Sequence, residues 1–563
     1  MANYPWEKSY PPGVKWELDI PKKTLHQIFE ESCAQYGDRP FTDFLDKVMS
    51  FRDYKEASDK AAAGFQKLGV KPGVNVGLYL PNTPHYIVAF FGILKAGGRV
   101  VNYSPLDAAR ELEFKIGDSE TDILVTLDVA ALYPKMAAMR GKTRLKKLIV
   151  GSIADYLPWP KNWLYPIAKK KEISQWPRDD WHMSFKDLLA NDGKFQSHPA
   201  PADLWDEVAV LQYTGGTTGL PKAAMLTHGS IASAMAQGLA WTAPYTQAGE
   251  EKVVCVLPLF HIYALTTILI RHLSLGNEIL LRFRFDAETT IRDIAEKKAT
   301  LMLGVPTMYI ALLQHPEIGK RDLSSLRLVT CGGASLPVEV EQSFQKITGF
   351  RVGGGWGMTE TSPAGTNLPL QGDWKSGSIG MPLPGIVMEV VALDDPRRVL
   401  GPNEKGEFRI KGPNVMKGYW KKPKETEEAF VDGYLLTGDI GYMDERGYFF
   451  LVDRKKDMII SGGFNVFPSE VEQVIWGHPA VQECAVIGVP DDKWGEAVKA
   501  VIELKPGASV EAAQIIACCK EALGSVKAPK SVEFWDVLPR TAVGKVSKKD
   551  IRAVYWTGRD RAI

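Results

Sequence analysis

Three consecutive stretches, VGLYLP, PHYIVAFFGILKAGG and RVVNYSP, constrain the fold of this chain more than any other feature. The outer two are short apolar runs and the middle one is longer, so together they read as strand, helix and second strand, a βαβ unit. Such a unit belongs in layers whose sheets are covered by helices. The runs ILVTLD, KLIVG, VAVLQY, KVVCVLP, EILLRF, TLMLGVP and LRLVTCGGA continue the theme, separated by helical or polar sequence. Upstream, TLHQIFEESCAQYG places Leu25, Ile28, Phe29 and Cys33 on one helical face and stops at Gly37. The expectation is an α/β protein with a large N-terminal domain of layered α/β sheets.

At 563 residues the chain is too long for one ordinary domain. A new pattern begins after YFFLVDRKKD, where ECAVIGVP, AVKAVIELKPG and EAAQIIACCKEALG form a compact unit, so residues 1–453 and 454–563 are read as a large domain and a small α+β C-terminal domain. Net charge is +1 with both signs mixed along the chain, which gives no reason to expect a nucleic-acid partner. The six cysteines contain no C-x-x-C and lie in apolar runs, as reduced core residues would. MANYPWEKSYPPG lacks the uninterrupted apolar centre of a signal peptide, so a cytoplasmic location is expected.

Two segments need separate treatment. VVCVLPLFHIYALTTILI carries no formal charge, but Pro258 and His261 interrupt it, and it reads as buried strand, loop and helix rather than a membrane span. Around LPWPKNWLYPIAKKKEISQWPRDDW periodicity is lost; residues 155–201 read as an elaborated surface loop. Tryptophan beside Lys169, Lys170 and Lys171 offers a second reading, peripheral contact with an anionic membrane at its inner face.

The stretch QYTGGTTGLPKAAMLTH carries the first chemical signal. A strand delivers Thr214, Gly215, Gly216, Thr217, Thr218 and Gly219, whose amides and hydroxyls can converge on phosphate oxygens, and Lys222 adds a mobile positive charge. The lysine follows Pro221 and lacks the G-K-[ST] ending, so this is not a P-loop; a plain glycine turn between elements is the bland alternative.

Taken with GGGWGMTETSP, LLTGDIGYMDERGYFFLVDRKKDMIISGGFNVFPSEVE and PRTAVGKVSKKDIR, in this order and spacing, the chain resembles the AMP-forming adenylating enzymes over nearly its whole length. Within them it is most similar to bacterial medium- and long-chain fatty acyl-CoA synthetases, and NYPWEKSYPPG with VNYSPLDAARELEFKIGDSETDILVTLD resembles the branch described as dicarboxylate, or pimeloyl, CoA ligases. The resemblance implies ATP-dependent conversion of a carboxylic acid to an acyl adenylate and then transfer to coenzyme A. An aryl or other carboxylic acid CoA ligase, and a catalytically silent lipid- or nucleotide-binding relative, are the alternatives. It also implies a mobile C-terminal domain that swings about a hinge at Asp453 and brings the face around Ser461, Gly462, Gly463 and Phe464 to the site for thioester formation.

Roles follow by the same resemblance. Thr217 and Glu360 would hold Mg²⁺; Trp356, leading Gly357, Met358 and Thr359, would stack on adenine, with Gly333 and Ala334 against its other face. Asp439 would accept the ribose hydroxyls and Arg454 would reach ribose or phosphate. Lys545 would bridge the attacking carboxylate and the α-phosphate, and His261 would gate or orient that carboxylate. The context of Lys545 resembles lysines silenced by an acyltransferase, and an acylated enzyme that still adenylates at full rate would refute that reading. An amino-acid substrate is excluded because Phe260, His261 and Tyr263 provide no carboxylate for its ammonium. For the far end of a dicarboxylate only Arg271 and His272 are available by charge, and a helix-end or surface role is expected for both.

Overall fold

The computed structural model describes residues 4–199, 201–214, 221–334, 336–370, 375, 377–540 and 546–556. Packing divides these residues into two compact units, one of residues 4–387 with 411–428 and one of residues 388–410 with 429–556.

The larger unit is built on two sheets. The seven-stranded sheet runs, edge to edge, through His182–Ser184, Lys147–Gly151, Ile123–Leu127, Asn75–Leu78, Arg99–Asn102, Val208–Thr214 and Lys222–Thr227, and its neighbours are parallel except for the final hairpin pair. The nine-stranded sheet is parallel from Pro40–Phe44 through Glu278–Leu281, Lys252–Cys255, Leu301–Gly304 and Leu328–Cys331 to Val352–Trp356, with antiparallel additions at both edges. Parallel strands joined by crossover helices are covered on both faces, which is why they read as continuous Val, Ile and Leu. The opening βαβ expectation holds: Asn75–Leu78 and Arg99–Asn102 pair in register around the helix Pro84–Lys95, every residue of which is buried.

Local chemistry sets the element ends. The helix Leu25–Tyr36 starts at Thr24, whose hydroxyl accepts from the Gln27 amide while the Gln27 side chain accepts from the Thr24 amide, and it stops at Gly37 with a positive φ. The uncharged stretch from residue 253 resolves into the strand Lys252–Cys255, a short helical turn Ile262–Ala264, the π-helix Leu265–Ile270 and the turn Arg271–Ser274. Among the described residues no helix is long and apolar enough to cross a membrane.

Two expectations are corrected. Residues 155–201 are more than loop, since they hold the helix Lys161–Ala168 and the strand His182–Ser184. The cysteines are all unpaired and five are buried, but Cys518 is exposed, because it lies on the solvent side of the amphipathic helix Ala512–Lys527 while Cys519 faces the core.

The smaller unit contains a five-stranded sheet of Val387–Val391, Gly406–Lys411, Phe430–Val431, Tyr434–Met443 and Phe449–Arg454, and a second sheet in which the long hairpin Val481–Asp491 and Gly495–Leu504 carries Ser531–Phe534 and Ile459–Ser461. The helices Pro468–Trp476 and Ala512–Lys527 close its core over Val471, Ile475, Val486, Val498 and Ile515. The fold class thus agrees with the α/β expectation of a large unit and a smaller one.

The larger unit also buries neutral histidines. His228 accepts the Leu25 amide on Nδ1 at 3.1 Å, and burial lowers its pKa to about 3; burial likewise lowers that of His26 to about 4 and that of His272 well below the ordinary value. A group held below its unfolded pKa stabilises the fold above that pKa, and the contribution disappears as pH falls toward the folded value. Stability of this unit should therefore drop by roughly 2 kcal/mol for each of His228 and His26 between pH 7 and pH 5. Denaturant melts across that range test it; a flat profile would contradict the burial of neutral imidazoles.

Candidate active site

In the larger unit the sequence-predicted residues gather at the carboxyl ends of the parallel strands, where loops can aim at a ligand. Val208–Thr214 and Lys222–Thr227 form a hairpin in which Thr214 pairs with Lys222. The tip, with Gly215, Gly216, Thr217, Thr218 and Gly219, lies outside the described residues. Lys222 places its ammonium 5.2 Å from the centre of the Tyr419 ring, and the Tyr419 hydroxyl donates to Glu360 Oε1 at 2.9 Å. Cation, aromatic and carboxylate are thus joined through one side chain.

Tyr419 is positioned by backbone pairing. Met225 donates to the Gly418 carbonyl at 2.8 Å, Lys417 donates to the Met225 carbonyl at 3.0 Å, and Trp420 donates to the Ala223 carbonyl at 2.8 Å, so residues 417–420 lie along the hairpin with Tyr419 bridged antiparallel to Ala224. Burial, with the Glu360 charge second, raises the Tyr419 pKa far above the phenol range, so it stays a donor. Glu360 sits buried in the short helix Thr359–Thr361, and the Met416 amide donates to its backbone carbonyl at 2.7 Å. Sequence reading missed Tyr419; its signal is the aromatic pair after a glycine in KGYW.

Trp356 ends the strand Val352–Trp356, adjacent to Leu328–Cys331, so it and the Gly333–Ala334 turn emerge from neighbouring parallel strands. The indole is half-buried. A Cβ on Gly365 would fall 2.5 Å from its ring, and one on Gly357 would fall 1.6 Å from the Pro363 carbonyl, so both positions exclude any side chain. Gly333 has φ +75° and is exposed with Ala334, while Met358 and Thr359 are half-buried beside Glu360.

His261 is exposed rather than a core histidine, and its Nδ1 caps the following turn by accepting from the Tyr263 amide at 3.2 Å. Its segment is held by a buried polar chain: Gln212 donates to the Phe260 carbonyl at 3.1 Å, Asn102 donates to Gln212 at 3.0 Å, and Tyr86 reaches both Asn102 and the Leu259 carbonyl. The strand that delivers the glycine-threonine loop is thereby tied to the segment carrying His261. Tyr263 packs on Gly332, where a Cβ would lie 2.7 Å from the ring.

Arg271 and His272 are both buried, which corrects the surface expectation: the π-helix before them turns both inward instead of leaving them on an exposed end. His272 Nδ1 accepts from Asn277 at 3.0 Å. Arg271 donates to the Thr242 hydroxyl, has no carboxylate ion-pair partner among the described residues, and leaves its buried Nε without an acceptor. Burial pulls its pKa down to about 10.

In the smaller unit Asp439 and Arg454 lie opposite each other on antiparallel strands, paired at 2.9 Å, with Asp439 buried and Arg454 half exposed. Glu407 accepts from the Gly438 amide at 3.1 Å and from Lys455 at 2.7 Å, which fixes the turn before Asp439. Asp453 accepts from the Ser469 amide at 2.8 Å. Two ion pairs, Lys548 with Glu472 at 2.8 Å and Arg552 with Asp457 at 2.7 Å, anchor the helix Lys548–Ala553. Lys545, three residues before that helix, lies outside the described residues.

Comparison with known proteins gives the family. The AMP-binding enzyme family matches residues 29–420, and the AMP-binding enzyme C-terminal domain matches residues 470–545. The chain belongs to the AMP-binding enzyme family. It is 40% identical to a long-chain-fatty-acid–CoA ligase of Bacillus subtilis over 98% of both chains, and 38% identical to one of Escherichia coli O157:H7 over 97% of both. Among solved structures, ATP-bound MatB from Rhodopseudomonas palustris superposes with a TM-score of 0.82 at 29% identity, over 95% of this chain and 99% of that one. A Mycobacterium tuberculosis fatty acyl CoA synthetase gives 0.72 at 28% identity, over 96% and 100%.

Beside the Asp439–Arg454 pair, Lys456 has its pKa lowered to about 8, by burial first and by the Arg454 charge second. Competitive labelling with an amine-reactive anhydride should show it half-reactive near pH 8, below the roughly 10.4 of an unperturbed lysine. Lys456 titrating with the bulk lysines would contradict this placement.

Proposed function

We propose that the protein activates a medium- or long-chain fatty acid with ATP and transfers it to coenzyme A. The acid's carboxylate oxygen attacks the α-phosphorus and pyrophosphate leaves; the coenzyme A sulfur then attacks the acyl carbonyl, and AMP leaves with the electron pair of the broken acyl–oxygen bond. Neither step needs a protein nucleophile, so the chain's work is positioning and charge neutralisation. This fits a chain whose cysteines Cys33, Cys255 and Cys484 are buried with thiols pushed up by desolvation.

The observation that carries the reading is the Lys222–Tyr419–Glu360 chain at the base of the glycine-threonine loop. It puts an ammonium for phosphate oxygens and a hard carboxylate oxygen within one side chain of each other. Glu360, buried and hydrogen-bonded by Tyr419, together with the Thr217 hydroxyl, is a donor set suited to Mg²⁺, an ion that keeps several of its waters. When bound, that ion supplies neutralisation of the polyphosphate. Trp356 stacks on adenine, and Gly333 and Ala334 let the base approach the backbone. Asp439 accepts from the ribose hydroxyls and Arg454 reaches the ribose or a phosphate. His261 orients the acid, and Lys545 neutralises the two anions as they meet.

A specific observation favours an acid with a second carboxylate. Arg271 is 7% exposed and its Nε is unsatisfied; among the described residues no carboxylate lies at ion-pair distance, and the Glu251 charge acts on it only from farther away. An uncompensated buried guanidinium costs several kcal/mol unless something charged completes it. The Arg271 side chain runs along Gly238, where a Cβ would stand in ordinary contact with it, 3.7 Å from Cδ. The distal carboxylate of an α,ω-diacid is the fitting partner.

One assay separates these statements. AMP release dependent on both acid and coenzyme A should occur with straight-chain acids of medium or long chain, and no acid in the series supporting it would overturn the function. Within the series, diacids should exceed monoacids of equal length, and Arg271→Met should cut the diacid kcat/KM about a hundredfold while sparing monoacids. Equal loss on both substrates would remove Arg271 from substrate recognition and leave the thioester chemistry standing.

A further inference from the structure

The helix Lys161–Ala168 is mounted with its apolar side outward. At about 100° per residue, Trp163, Leu164 and Ile167 share one arc and Tyr165 lies opposite them. The structure buries none of the helix's residues, and the only one it half-covers is Tyr165. Trp163 is 68% exposed, Ile167 64% and Leu164 45%, while Trp159, just before the helix, is 83% exposed. A surface helix of a water-soluble fold ordinarily faces the other way.

Its surroundings add lysines, two of them paired with the acids Asp46 and Glu172. Lys169, Lys170 and Lys171 follow directly; Lys169 pairs with Glu172 at 2.7 Å, and Lys170 and Lys171 are exposed without an ion pair among the described residues. Lys161 pairs with Asp46 at 2.7 Å, which fastens the helix to the turn of the Pro40–Phe44 and Lys47–Ser50 hairpin, where Leu45 and Val48 are exposed in turn. Two exposed tryptophans, two exposed aliphatics and a run of lysines describe an interfacial helix: indole rings suit the headgroup level, and ammonium groups suit anionic lipid. A protein partner would be expected to bury an aromatic centre within a polar rim, whereas here the apolar arc is followed directly by Lys170 and Lys171, exposed and without an ion pair among the described residues.

From these residues we propose that the 159–171 segment is a membrane-docking face that seats the protein on an anionic bilayer, with the Trp159, Trp163, Leu164 and Ile167 side chains in the headgroup region and Lys169–Lys171 against lipid phosphates. Docking would hold the enzyme where a sparingly soluble acid resides. That purpose rests on the fatty-acid reading; the docking itself does not.

Co-sedimentation of the full chain with phosphatidylcholine vesicles, with and without phosphatidylglycerol, tests it. Binding should be at least about tenfold stronger on the anionic vesicles and should fall with salt. Trp163→Ala/Ile167→Ala and, separately, Lys169→Gln/Lys170→Gln/Lys171→Gln should each weaken it about tenfold or more, with turnover of a short, freely soluble acid unchanged. No preference for anionic vesicles, or variants that bind like the parent, would overturn the proposal. So would a light-scattering mass that drops from dimer to monomer on Trp163→Ala/Ile167→Ala without lipid, since the face would then be an interface between copies. Vesicle binding that persists while no acid supports AMP release would sink the ligase reading and leave this surface intact.

Discussion

The hydrogen bond from Tyr419 to the buried Glu360 carboxylate, with the Lys222 ammonium over the same ring, is the interaction on which the rest of the candidate site depends. A carboxylate taken out of water is costly unless donors and a cation face it. The fold meets that cost by hydrogen-bonding the backbone of residues 417–420 along Lys222–Thr227, which brings Tyr419 to Glu360 from more than fifty positions away in sequence. The charge that would serve a nucleotide is therefore held in place before any ligand arrives, and preorganised charge is what a reaction between two anions requires.

The second constraint is the buried chain of amide and hydroxyl groups through Tyr86, Asn102 and Gln212. Each group is satisfied by the next, and the chain ends on the carbonyls of Leu259 and Phe260, so the strand that leads into the phosphate loop and the segment that presents His261 share one rigid support. Polar networks in a low-dielectric interior are costly when incomplete and stiff when complete. That stiffness holds two strand ends from different sheets of the larger unit in a fixed relation to each other.

Much of the fold was legible because buried parallel strands write themselves as short aliphatic runs: VAVLQY, KLIVG and TLMLGVP each became a strand of a covered sheet. The residues Trp356, Glu360, Asp439 and Arg454 stand out for a different reason, since the blocks that hold them resemble those of a known family in order and spacing. What stayed hidden depends on long-range geometry. Nothing near Tyr419 in sequence reveals that it faces Glu360, and nothing near Arg271 reveals the π-helix that turns it inward. The helix Lys161–Ala168 was read as loop because Pro166 and the clustered lysines masked a short period, and because its apolar side faces solvent, where pattern rules do not look for one.

The most direct measurement of the central claim is ATP–pyrophosphate exchange in the presence of a fatty acid by Glu360→Gln, which keeps the shape and the Tyr419 hydrogen bond while removing the charge. The account predicts an unchanged melting temperature and a loss of about a hundredfold or more in exchange rate. Exchange at the parent rate, with the same dependence on magnesium, would contradict it.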